Sequence, residues 1–532
     1  MRTPWSWPLW AAVTVVGVIF LLRIPNIVQP MGPDQGVYAT IGWALQLGLD
    51  LYRDLFEQKP PGIYLAYLSG FLVFGNEVSS IFWIDYLAGA ATVAAIFLVG
   101  RELAGARFGG LAAALVAFAL MPAARHAYGG FLERAVTESF IVPLAATSAW
   151  ITALAFARRD PRLGLVAGLL IGVAAVFKQT ALIYWPAFTL WLWLVTDLRL
   201  ALGFGVRAAA GLVVAPGLVL LWLWSRGVLG HMWTATVEFN LAYLALGDQG
   251  FGFTLNRYAH EVFRRIKGDE IWLAGSLAAL AAAVAMLSRA QRATTSGRVA
   301  LLGLAWLGGA VIATLANGPR LFTTYFVPSL VPLAILIAWL LRETLGSGNR
   351  RRVAAGVVVV LLGGAMVIRG GTLRRAADAT TWDARHLFGQ TSRADYLERF
   401  RSRSSRAFHA GDNALLAEYV RTRTAPGERV FVFGMTAGTY FSSGRLPGSR
   451  FLWAYAPVSN MIPGGEFTME TLTAELDRNS PRYIILQRGN GDSFSGWRAV
   501  TAFQAEPMQE LIGRRYFEET EVGDFVLYRR KD

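Results

Sequence analysis

A polytopic α-helical membrane protein carrying a C-terminal α/β domain outside the bilayer is the fold class this sequence predicts. Three observations predict it: the overall composition, a series of apolar runs long enough to cross a bilayer, and a change of composition after residue 369. Of 532 residues, 54% are hydrophobic and only 16% charged, against roughly 25% charged in an ordinary soluble domain. So few charges cannot solvate so apolar a chain, which excludes a soluble enzyme. The formal charge is +14, from 50 Lys and Arg against 36 Asp and Glu. No zinc, helix-turn-helix or RNA-reading signature accompanies that charge, and basic membrane loops account for it, so nucleic acid is not an expected partner. Cysteine is absent, which removes disulfides and thiolate metal sites and leaves the compartment open.

Spans need about 17 to 25 apolar residues, and about eleven such runs occur, near 7–25, 80–100, 108–124, 138–157, 163–178, 180–196, 208–224, 271–288, 299–316, 325–341 and 353–369. The first has no small-residue cleavage site behind it and reads as a retained anchor. Pro60 to Phe74 is too short to span, opens with Pro60-Pro61 and contains Gly62 and Gly70, so a re-entrant or interfacial helix is expected there. Counted this way, the cytoplasmic loops hold Arg101, Arg158, Arg159, Arg207, Arg298 and Arg350 to Arg352 among others, against only Glu102, Asp160, Asp197 and Glu343. That is the positive-inside pattern, with the N-terminus in the cytoplasm. Arg369, Arg374 and Arg375 oppose it locally at the last span.

Eleven spans place residues 370–532 outside. That segment has 22 basic and 19 acidic residues, a net +3 that leaves +11 to residues 1–369. An Arg- and Ser-rich connector is expected over 370–410 and a soluble α/β domain over 411–532: helical spacing at Asn413 to Thr424 and Met469 to Arg478, strand patterns at Arg429 to Phe433 and Tyr483 to Leu486, and a hairpin from Phe517 to Arg530 turning at Gly523-Asp524.

Transporters carry ionisable groups inside their spans. Here the informative charges gather at the outer ends of spans and in outer loops. In the first outer loop, about 26–79, Gly32-Pro-Asp34-Gln-Gly leads into an amphipathic stretch with Val37, Ile41 and Leu45 at helical spacing. Asp34, taken alone, reads as the helix N-cap, a role that does not exclude a catalytic carboxylate. Lys59, just before Pro60-Pro61, reads as a phosphate-binding ammonium at headgroup level or as a snorkelling anchor. Glu138 opens span four as a first-turn acid, Lys178-Gln-Thr marks the turn after span five, and Asn317-Gly-Pro-Arg320 with Tyr325 precedes span ten. Each alone fits ordinary loop chemistry. Jointly, the topology puts Asp34, Lys59, Glu138, Lys178, Arg320 and Tyr325 on one face, two acids with three cations, which suits removal of a proton from a hydroxyl beside a phosphate leaving group.

These residues resemble the glycosyltransferase C superfamily, in the branch of protein O-mannosyltransferases and the bacterial lipid A aminoarabinose transferase. The resemblance covers about residues 1–345 and rests on Asp34 in its Gly-Pro-Asp-Gln-Gly setting, the run Tyr52-Arg-Asp-Leu-Phe-Glu-Gln-Lys59-Pro-Pro, Glu138, the Lys178 turn and Pro-Arg320-x4-Tyr325. It implies an inverting glycosyltransferase with a polyprenyl-phosphate sugar as donor and a lipid, glycan or protein as acceptor, working at the outer face of a bacterial cytoplasmic membrane. Asp34 would be the main catalytic carboxylate and Glu138 a second acid near the acceptor. Lys59, Arg320, and Lys178 or Tyr325 would hold the donor phosphate. Many relatives follow the first acid with another, where this chain has Gln35, and no His stands beside Glu238, so no metal or other cofactor is predicted. The 225–270 loop, with Glu238, Asn240 and His260, is long enough for a lid over donor or acceptor. The alternatives are a ligase or polymerase using diphosphate-linked glycans, and a lipid or glycan transporter. The aromatics Tyr440, Phe441, Phe451, Trp453 and Tyr455 in the tail fit sugar stacking or interior packing. Asp85, inside span two, is expected to pair with a cation of the first loop or to reach the interface.

Overall fold

The computed structural model describes residues 9–121, 134–245, 250–345, 364, 372–401, 408–460, 462, 465–488 and 503–532. The last expected span (353–369), Glu133 and Asp248 lie outside these residues, apart from Gly364.

The chain is a helical bundle with a small sheet at its C-terminal end. In order come α1 (Leu9–Arg23), α2 (Pro33–Gln46), α3 (Gly62–Phe74), α4 (Val78–Ala104), α5 (Ala106–Ala119), α6 (Thr137–Arg158), α7 (Leu163–Phe177), α8 (Tyr184–Val195), α9 (Leu198–Leu212) and α10 (Val214–Ser225). Among the described residues, six stretches are long and apolar enough to cross a membrane: Leu9–Val28, Val78–Ala104, Thr137–Arg158, Leu198–Ser225, Thr295–Leu315 and Thr323–Thr344. The expected span at 208–224 is thus the second half of a 28-residue apolar stretch broken near Val213. Arg199 and Arg207 lie on its helix rather than in a loop, because Asp197 caps the helix by accepting from Leu200 N–H at 2.9 Å.

Small residues set the helix contacts. Gly164, Gly168 and Gly172 repeat every fourth residue along α7 and face the carbonyls of Phe204, Ala208 and Leu212 on α9; a Cβ at Gly168 would lie 1.8 Å from the Ala208 oxygen. This is the small-xxx-small approach of membrane helices.

Most of the described residues between 225 and 270 are helical, where a long loop is expected. Leu229–Trp233 (α11) runs through a π turn into Phe239–Ala245 (α12), then comes Phe251–Gly268 (α13). Helix α13 meets Glu270–Ala285 (α14) at a bend of 113°, and Thr295–Leu315 (α15) and Val327–Leu345 (α16) complete the bundle. The expected connector also has structure: Thr372–Leu387 forms α17, packed on the Ile24–Val28 turn after α1.

The tail holds α18 (Ala410–Arg423), β1 (Val430–Phe433), α19 (Gly438–Ser443), α20 (Met469–Asn479), β2 (Tyr483–Gln487), α21 (Glu506–Arg515), β3 (Tyr516–Val522) and β4 (Phe525–Arg530). The sheet order is β1-β2-β4-β3, with β1 parallel to β2 (Val430 beside Tyr483) and the other pairs antiparallel. The β3–β4 hairpin turns at Gly523-Asp524, where Gly523 takes φ +55°, a conformation glycine adopts without steric cost.

The tail and the first outer loop share one apolar core. Phe56, Tyr64 and Tyr67 pack in the same cluster as Phe431, Phe451 and Ile484, and Phe71 stacks on Phe441 with centroids 4.9 Å apart. The tail's aromatics are therefore packing groups at this junction, Tyr440 and Phe451 being wholly buried.

Candidate active site

Pro33 at the first position of α2 pre-sets its backbone, and Gly32, not Asp34, is the N-cap. The Gln35 Oε1 accepts from Gly32 N–H at 2.7 Å, and its Nε2 donates to the Arg134 carbonyl at 2.6 Å. The N-cap reading of Asp34 is thereby corrected: Gln35 does that work, and the Asp34 carboxylate stays half exposed, at 51%. It accepts from Tyr38 Oη at 3.2 Å, one turn on.

Lys59 arrives at the same place on a pinned loop. Tyr52 Oη donates to the Lys59 carbonyl at 2.9 Å and Asn240 Nδ2 to the Gln58 carbonyl at 2.8 Å. The ammonium lies 4.0 Å from the Asp34 Oδ2, 3.9 Å from Glu57 Oε1 and 5.2 Å from the centre of the Tyr38 ring. Burial pulls the Lys59 ammonium toward neutrality, but the negative charges of Asp34 and then Glu57 outweigh it, and its pKa is raised. Glu57 is almost wholly buried. Burial raises its pKa against the pull of Lys59 and of the Gln58 N–H.

A second group stands on the bundle. Glu138, in the first turn of α6, accepts from Thr137 Oγ1 at 2.7 Å and from Lys178 Nζ at 2.9 Å. The same ammonium lies 3.5 Å from the Tyr325 ring centre. Glu138, Lys178, Thr180, Asn317 and Tyr325 line a cavity of about 20 Å³, room for one water. The third group is Arg320, 3.5 Å over the Tyr243 ring, with Tyr243 itself against Tyr455 of the tail at 6.2 Å. Burial raises the Tyr243 phenol's pKa while Arg320 opposes it.

Asp34, Lys59, Glu138, Lys178, Tyr325 and Arg320 thus fall into three adjoining groups, and Asp34, Glu57 and Glu138 act together on both Lys59 and Tyr38. Of the lid residues, Asn240 positions the Lys59 loop, whereas Glu238 and His260 are exposed to solvent and stand apart from these contacts. Sequence reasoning missed Tyr38 and Glu57 as site members and placed Tyr243 only within the 225–270 lid. The spacing of four between Asp34 and Tyr38 was a usable signal, while Glu57 and Tyr243 depend on tertiary folding. Asp85 pairs with Arg23 at the end of α1, at 2.8 Å, and accepts from Ala135 N–H at 2.6 Å, so its partner is the first helix rather than a cation of the first loop. Among the described residues, no three His, Cys, Asp or Glu side chains are grouped to hold a metal ion.

Residues 58–224 match the family of dolichyl-phosphate-mannose-protein mannosyltransferases; the match contains Lys59, Glu138 and Lys178. No curated protein matches in sequence. In fold, the chain is similar to ArnT from Cupriavidus metallidurans bound to undecaprenyl phosphate, with a TM-score of 0.56 at 13% identity over 99% of this chain and 98% of that one. The apo form of that protein gives 0.53 at 14% identity, over 98% and 97%. The archaeal oligosaccharyltransferase AglB from Archaeoglobus fulgidus, in complex with an inhibitory peptide and a dolichol-phosphate, gives 0.50 at 14% over 99% and 75%. The chain thus shares the fold of these proteins over almost its whole length, and its segment 58–224 resembles the O-mannosyltransferase family.

Proposed function

We propose that this protein moves one sugar, with inversion, from a polyprenyl-phosphate carrier to a hydroxyl of a lipid, glycan or protein acceptor at the outer face of the bacterial cytoplasmic membrane. In this reading the N-terminus is cytoplasmic and the C-terminal domain extracytoplasmic. One observation carries the proposal: the Asp34 carboxylate is released from capping by Gln35, half open to solvent, and 4.0 Å from the Lys59 ammonium. Asp34 takes the acceptor's proton as its oxygen attacks the anomeric carbon. The bond from that carbon to the phosphate oxygen breaks on the opposite face, and polyprenyl phosphate leaves with the bonding pair. General-base assistance of this kind contributes about 10²- to 10⁴-fold.

Lys59 and Arg320 hold the leaving phosphate, with Lys178 and Tyr325 beside them, and their charge offsets what develops on it. Glu138 lies near the acceptor. No metal is required in this reading, because Gln35 stands where a second acid would offer a ligand and its side chain is committed at both ends. The carriers bound to ArnT and to AglB, undecaprenyl phosphate and a dolichol-phosphate, support a polyprenyl-phosphate donor.

Purified protein in lipid, offered monophosphate-linked sugars and diphosphate-linked glycans, tests the reading. Transfer from the monophosphate alone is expected. Transfer only from the diphosphate would establish the ligase reading, and cargo movement without bond cleavage the transporter. Lys59→Ala should raise the KM for the carrier-linked donor at least tenfold; an unchanged donor dependence would remove Lys59 from the phosphate site.

A further inference from the structure

The connector and the tail clamp the helix that bears Asp34 at two separate points. The first clamp begins at Asp383 on α17, a wholly buried carboxylate. It accepts from Asn26 Nδ2, Gln29 Nε2 and Tyr396 Oη, each at 2.7 Å, with Arg399 at 3.6 Å. Asn26 and Gln29 in turn offer their carbonyls to Arg134, at 2.6 and 3.1 Å from Nη1 and Nη2. The Arg134 carbonyl then accepts from Gln35, the neighbour of Asp34 in the sequence. An unbroken chain of hydrogen bonds thus runs from α17 to the first turn of α2. Four residues before Glu138, Arg134 stands where this chain also meets the start of α6.

The second clamp is a backbone contact. A Cβ on Gly36 would lie 2.6 Å from the Gly438 nitrogen, so α2 and α19 touch main chain to main chain, and Thr40 Oγ1 donates to the Ala437 carbonyl at 2.8 Å. The two clamps use different residues and different elements.

We infer that Asp383 is a positioning residue for the transferase site: it acts through Asn26, Gln29, Arg134 and Gln35 to hold the first turn of α2 so that Asp34 faces Lys59. This rests on the reading of Asp34 given under Proposed function. The carboxylate is what the geometry demands, because all three near partners donate to it. An Asp383→Asn side chain would keep one oxygen for Asn26 and Gln29, but its NH2 would reverse the hydrogen bond with Tyr396, and the charge that faces Arg399 would be lost. A group that orients a base changes the rate of the chemical step more than the binding of donor.

The test combines kinetics with hydrogen exchange on the full-length protein in nanodiscs. Asp383→Asn should lower kcat at least tenfold with donor KM within twofold, and amides of residues 32–38 should exchange at least tenfold faster while β1 to β4 keep their protection. Tyr396→Phe removes one donor and leaves the carboxylate, and should give the same local exchange pattern to a smaller degree; it carries the test if Asp383→Asn does not fold. Gly36→Ala, at the other clamp, should also lower kcat with KM spared. Unchanged exchange at 32–38, or exchange raised equally through the sheet, would overturn the inference, as would an unchanged kcat. Absence of sugar transfer by the wild type would instead defeat the proposed function, and the exchange data would still decide whether Asp383 orders α2.

Discussion

The site's groups differ in what surrounds them, and that decides what each substitution does. Glu138 and Lys178 form a pair with side chains only 4% and 17% exposed. Breaking such a pair leaves a buried charge uncompensated and costs about 3 to 5 kcal/mol. Lys178→Met should therefore lower the melting temperature markedly, and adding Glu138→Gln should restore most of it. A melting temperature unmoved by Lys178→Met would show that water already screens the pair. Glu57 gives a pH signature instead. Burial raises its folded pKa above the usual glutamate value, about 4.3, so the folded state binds more protons than the unfolded one between those two values. Stability should fall as pH rises through that window. Glu57→Gln should flatten the decline in thermal melts taken across it, and an unaltered slope would contradict the assignment.

At the scale of elements, backbone approach matters more than side-chain bulk. Gly168→Ala would force α7 off α9, because its Cβ would fall 1.8 Å from the Ala208 oxygen; overpacking of this sort costs about 1 to 3 kcal/mol. Gly217→Ala, on α10 with open space around it, should be neutral or mildly stabilising. Equal melting temperatures for the two variants would refute the close contact. The tail's strands were legible in the sequence because Val430 to Phe433 and Tyr483 to Leu486 are continuous apolar runs bounded by polar residues, and Gly523-Asp524 signals a two-residue turn. Helix α17 and the helices of 225–268 were read as connector and loop. Their charged residues, Asp383 and Arg385 in one and Arg257 and Arg264 in the other, interrupt the long apolar run that marks a span, and their amphipathic spacing gains meaning only once packed. The capping role of Gln35 was hidden for a related reason: an Asp before a helix is the commoner cap, and nothing local shows that the glutamine three residues past Gly32 folds back.

For the whole molecule, one apolar core joins the first outer loop to the tail, so the segment after residue 372 is part of the site's scaffold rather than an appendage. Composition alone separates this segment from the bundle by charge and hydropathy. It does not reveal that Phe441 and Phe451 pack on Phe71 and Phe56, since those contacts join residues hundreds of positions apart. Side-of-membrane reasoning from arginine counts nonetheless grouped Asp34, Lys59, Glu138, Lys178, Arg320 and Tyr325 on one face, and their contacts in the fold adjoin. The account depends most on Asp34 acting as a base. Its most direct test is transfer of label from radiolabelled polyprenyl-monophosphate sugars to acceptors in a membrane extract, by purified wild type and by Asp34→Asn in lipid. The account predicts transfer by the wild type and a loss of about 10²- to 10⁴-fold in a variant that melts at the same temperature; a well-folded Asp34→Asn protein that still transfers sugar at a comparable rate would contradict it.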